Sequence, residues 1–106
     1  MPFDPADPNA VRDLSWIGDA LLALFAREWI MAHEAQLGAP RAELFRDLTS
    51  NQFLSSFGPP SVVEARIGEA FRAGGLPAAQ GYFDSTLLPA FQKQQAKRQR
   101  ARLGGR

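Results

Sequence analysis

Between Ala10 and Ala35 the chain reads "AVRDLSWIGDALLALFAREWIMAHEA", without a proline and with one glycine, Gly18. Apolar side chains cover most of the circumference this stretch would have as a helix, so the pattern predicts one long, central, buried helix. That is about twice the ordinary helix length. Within it, Asp19 stands among Trp16, Ile17, Leu21, Leu22, Leu24 and Phe25. A carboxylate in such company is costly unless something neutralises it.

Other breaks divide the remainder. Asp7 or Asn9 can cap the first helix, with Pro8 near its first turn. "LGAP" (37–40) ends that helix. A second helical stretch, "RAELFRDLTSNQFLSSF", turns Leu44, Leu48, Phe53 and Leu54 inward, with a split expected near Thr49 to Asn51, and "GPP" (58–60) stops it. A third helix is expected over about Ser61 to Ala73, striped by Val63, Ile67 and Phe71, followed by a turn at "GGLP" (74–77). A last helical stretch carries Phe83, Leu87, Leu88 and Phe91, with Pro89 expected to kink it. No alternating strand pattern occurs, so the fold class is all-α. The organisation expected is an extended lead-in over 1–10, one helical domain over 11–92 and a basic tail over 93–106, frayed and solvated.

Charge is unevenly placed. Residues 1–92 hold six basic and eleven acidic side chains, whereas residues 93–106 hold six basic and no acidic ones. A basic tail on an acidic body points to a polyanionic partner, with Lys93, Lys97, Arg98, Arg100 and Arg102 as candidate contacts. The alternative is a solubilising end. No apolar run reaches the ~20 residues that span a bilayer. The acidic, proline-rich N-terminus lacks secretory-signal chemistry. The absence of cysteine fits a cytoplasmic protein.

"IGDA" (17–20) recurs as "IGEA" (67–70). A helix-interior glycine costs roughly 1 kcal/mol relative to alanine. Two helices each carrying one can cross with their backbones in contact, so Gly18 and Gly68 are candidates for a single crossing point. Glu64 lies four residues before Gly68, on the same face, and would then converge with Asp19. Two carboxylates can hold a hard divalent cation through oxygen. Each acid also has a bland alternative. "SVVE" (61–64) fits a capping box with Ser61 at the N-cap and Glu64 at N3. Asp19 can pair with Arg66, Arg27 or Arg12. His33, near a helix end, suits an interaction with that end better than catalysis.

These motifs resemble the ribonuclease III domain family. "LSWIGDALLALFAREWIM" resembles its signature helix, "LTSNQFL" an intervening helix, and "SVVEARIGEAFRAGGLPAAQGYFDSTLLP" its last helices. The resemblance covers about residues 11–92. It implies an all-helical homodimer that cleaves structured or double-stranded RNA with Mg²⁺, Mn²⁺ being a substitute. Asp19 and Glu64 match two of the family's four acids. Ser15 and Ser61 stand where the other two would be, and would at most hold waters around the ion. Trp16 matches the aromatic that docks into the partner subunit. This halved acid set, without a double-stranded-RNA-binding domain, is most similar to Mini-III. The chain departs from that pattern too. Only "SSFGPP" separates the second and third motifs where the family has a further helix and basic loop, and Arg72 and Ala73 replace its Leu-Asp. The rival reading is a catalytically inactive RNA-binding or ribosome-associated dimer. A plain helical interaction module leaves Gly18, Asp19 and Glu64 as coincidences.

Overall fold

The computed structural model describes residues 3–104, and among these every regular element is helical. Helix α1 (Pro8–Leu37) begins where Asp7 accepts hydrogen bonds from the backbone N–H groups of Asn9 and Ala10, and ends at Gly38 in the left-handed conformation (φ 67°). Helix α2 (Arg41–Thr49) and the one-turn α3 (Asn51–Leu54) are divided at Ser50, whose extended backbone frees its hydroxyl to cap α3 at the Phe53 N–H, 3.0 Å away. A 3₁₀ turn (Ser55–Phe57) and Gly58 lead directly into α4.

Helix α4 (Pro60–Tyr82) runs past the expected stop at Ala73. The "GGLP" segment is a kink inside it: Gly75 alone leaves helical geometry (φ 75°, ψ −167°), and Pro77 starts the second half. A π-helical turn (Phe83–Leu87) then precedes α5 (Leu88–Gly104). It lies one turn before Pro89, whose missing N–H leaves the preceding turn to rearrange.

Helices α1 and α4 pack along each other, and α2, α3 and the start of α5 close the remaining side. Leu22, Ile30, Leu44, Leu48, Leu54, Ile67, Phe83 and Phe91 are fully buried between them. Phe91 meets Trp29 and Phe53 edge-on, with ring centroids 5.7 and 5.8 Å apart. Two expectations are corrected here. First, α1 is not buried all round: Trp16 is 81% exposed, and Ala20, Leu24 and Met31 lie exposed on the same stripe. Second, residues 93–104 are not a frayed end. They continue α5 without a break at the expected boundary, Gln95 is only 3% exposed, and Arg98 and Gln99 dock onto Asp47 and the Gln36 carbonyl. No helix among the described residues is long and apolar enough to cross a membrane.

Candidate metal centre at a glycine crossing

The two backbones touch where Gly18 and Gly68 face each other. A Cβ on Gly18 would lie 1.7 Å from the Glu64 carbonyl oxygen, and a Cβ on Gly68 would lie 2.1 Å from the Leu14 carbonyl oxygen. Only hydrogen fits at either position. This contact brings the next residue of α1, Asp19, beside the side chain of Glu64.

Glu64 has no capping role. The residue before a proline avoids helical geometry, so Pro59 is extended (φ −55°, ψ 131°) and becomes the N-cap, with Pro60 in the first turn. Ser61 is thereby inside the helix, and no side chain caps α4. The capping box expected from "SVVE" is two residues out of register.

Two of the basic partners considered for Asp19 are engaged elsewhere, and the third, Arg66, forms no ion pair with it among the described residues. Arg12 reaches Asp13 at 3.6 Å. Arg27 lies over the Phe45 ring, 4.5 Å from its centroid. Arg66 lines a cleft with Phe3, Glu69 and Tyr82. Among the described residues no lysine or arginine forms an ion pair with Asp19 or Glu64.

The two acids therefore face each other without a counter-charge. Half-burial raises the Glu64 carboxyl, a hydrogen bond to Asp19 raises it further, and the Asp19 charge adds to this, bringing it to about 7. In the protonated form Glu64 donates to the Asp19 carboxylate. Asp19 is exposed, so solvent reaches the pair from one side. Ser15 and Ser61 lie one turn N-terminal of Asp19 and Glu64 on their own helices. Ser15 Oγ donates to the Arg12 carbonyl at 3.1 Å, and Ser61 is exposed.

Two like carboxylates held together by a rigid backbone contact, with no lysine or arginine paired to them among the described residues, fit a hard divalent cation as the missing charge. The ion would take one or both carboxylates and complete its shell with water. No group of three or more His, Cys, Asp or Glu side chains suited to a metal exists among the described residues, so the donor set is limited to two residues.

His33 is not part of this site. Its Nδ1 bonds the Trp29 carbonyl at 2.8 Å, and its ring stacks on Trp29 with centroids 4.3 Å apart. Trp16 borders an open apolar cleft with Ile17, Ala20, Leu21 and Phe71, and a second cleft continues the apolar face through Leu24, Leu76 and Pro77. Sequence reasoning singled out Trp16 alone from this face. The i, i+4, i+8 spacing of Trp16, Ala20 and Leu24 was the signal for the rest. Of the basic residues expected to contact a polyanion, Lys93, Lys97, Arg100 and Arg102 are exposed, whereas Arg98 is tied to Asp47.

No protein-family model, curated protein or solved structure matches this chain at a significant level.

Proposed function

We propose that this protein is a ribonuclease III-like, Mg²⁺-dependent endoribonuclease acting as a homodimer on structured or double-stranded RNA, closest in style to Mini-III. The observation that carries this reading is the Asp19–Glu64 pair: two carboxylates joined across a glycine crossing, stripped of capping and ion-pairing duties, and reachable by solvent. A divalent cation held there supplies charge neutralisation at a phosphodiester and activation of water. The chain's own part is to hold two oxygen ligands in place. Ser15 and Ser61 are hydroxyl neighbours for waters around the ion.

The exposed Trp16 face supports the homodimer. A tryptophan 81% exposed beside apolar clefts is the anchor of an interface rather than of a private core.

One observation favours a second reading, a non-catalytic RNA-binding dimer of the same fold: only two carboxylates meet, and serines occupy the positions of the other two family acids. Cleavage of a long RNA duplex in Mg²⁺ or Mn²⁺ separates the two. Cleavage by the native chain but by neither Glu64→Gln nor Asp19→Asn, with melting curves retained, establishes the enzyme. Equal cleavage by all three removes this site as the source of activity. Duplex binding without cleavage by any of them establishes the second reading.

A further inference from the structure

We infer that Lys93, Lys97 and Arg100 form a phosphate-binding stripe on the outer face of α5, a grip for an RNA duplex remote from the acid pair; the choice of RNA rests on the function proposed above.

The register of α5 sorts its basic residues. Phe91 and Gln95 point into the body, and Arg98 is drawn sideways onto Asp47. Lys93, Lys97 and Arg100 follow i, i+4, i+7, which places them on one stripe opposite the buried face. All three are exposed, and none forms an ion pair among the described residues. Two of the acids beside α5 are already used: Asp47 by Arg98 and Glu34 by Arg41. The stripe is thus an uncompensated cationic line on a helix anchored at both Arg98 and Gln99, and anchoring lowers the ordering cost of binding.

The chemistry favours a phosphate backbone over a lipid surface. An interfacial helix presents its apolar face outward, whereas α5 spends Phe91 on the core, and among its described residues only Leu103 is a large apolar side chain left exposed. The position also sets the role. Phe91 packs on Trp29 and Gln99 docks at Gln36, so this part of α5 lies roughly 15 to 25 Å along α1 from Asp19 at a rise of about 1.5 Å per residue. Within one protomer the stripe therefore grips a substrate away from the acid pair. It acts on binding and leaves the chemical step alone.

The test uses the full chain, with duplex RNA binding measured by anisotropy in EDTA across a salt series. The Lys93→Gln, Lys97→Gln, Arg100→Gln triple variant should bind about 10-fold or more weakly near 0.1 M salt, with the log–log salt slope reduced by about 2 to 3. Arg72→Gln, an exposed arginine on α4 outside the stripe, should leave the slope unchanged. If the native chain cleaves RNA, the triple variant should raise KM and keep kcat. An unchanged slope in the triple variant, an equal loss of slope in Arg72→Gln, or tighter binding to polyglutamate than to duplex RNA overturns the inference. It stands or falls on these binding data even where no cleavage is seen, so its failure and that of the proposed activity are distinguishable.

Discussion

Gly18 packs directly against the backbone of Glu64, leaving 1.7 Å between a hypothetical Cβ and the Glu64 carbonyl oxygen. The contact ties the candidate site to the fold: the glycine that lets α1 and α4 touch precedes Asp19, and the residue it touches is Asp19's partner.

Gly18→Ala and Gly68→Ala should each destabilise the protein by roughly 3 kcal/mol or more, at the upper end of overpacking costs, because the obstructing atoms are backbone. Urea unfolding of each variant checks this. A change within about 0.5 kcal/mol would show that the helices separate freely.

Glu64 gives stability a pH dependence of defined sign. Its folded-state carboxyl titrates at about 7, above the ordinary value of 4.5. Below about 4.5 both folded and unfolded chains keep the proton, and no cost arises. From there to about 7 the unfolded chain releases it more readily, so stability is lost as pH rises. The loss should be on the order of 1 kcal/mol after discounting for solvent screening at a half-exposed group. Melting curves from pH 5 to pH 8 should fall for the native chain and run flatter for Glu64→Gln. Millimolar Mg²⁺ at pH 8 should raise the native melting temperature and leave that of the variant unmoved. Parallel curves with and without the substitution would refute this account.

Trp16→Ala should weaken self-association while keeping helical content, since the side chain makes little of the protomer's own core. Light scattering at tens of micromolar, an ordinary range for a working dimer, should show a dimer for the native chain and a lower mass for the variant. A native monomer at that concentration rejects the interface.

Gln95 buries its side-chain nitrogen without a hydrogen-bond partner. Replacing it with leucine should raise stability by about 1 kcal/mol, because an unsatisfied polar group is exchanged for an apolar one of similar size. Thermal unfolding gives the answer, and a loss of stability would mean that the amide is satisfied by water in solution.

The positions of α1, α2 and α3 were legible in the sequence because their ends are near-neighbour events, whereas the continuation of α4 past Ala73 and of α5 past residue 93 was not. Asp7 caps α1, Gly38 stops it in the left-handed conformation, and Ser50 divides α2 from α3. The glycine crossing was legible for a related reason: a glycine inside a helix is costly unless a backbone occupies the missing Cβ's place. Which side chains end up together was decided by tertiary packing. The pattern "SVVE" reads more readily as a cap than as a ligand, and the conformation of Pro59 set a register in which it is no cap. Arg12, Arg27 and Arg66 were all candidates to neutralise Asp19; the side chain of Asp13 and the ring of Phe45 took the first two, and Arg66 lines a cleft beside Tyr82. The spacing of Trp16, Ala20 and Leu24 marked one stripe of α1, but only the packing decided that this stripe faces out and not α4. The basic tail offered no apolar stripe to announce its docking; Phe91, Gln95 and the Arg98–Asp47 pair supply it across 51 residues of sequence. Local propensity acts over a turn or two of chain, whereas the partner of a charge or a ring is whatever the folded chain brings within a few ångströms.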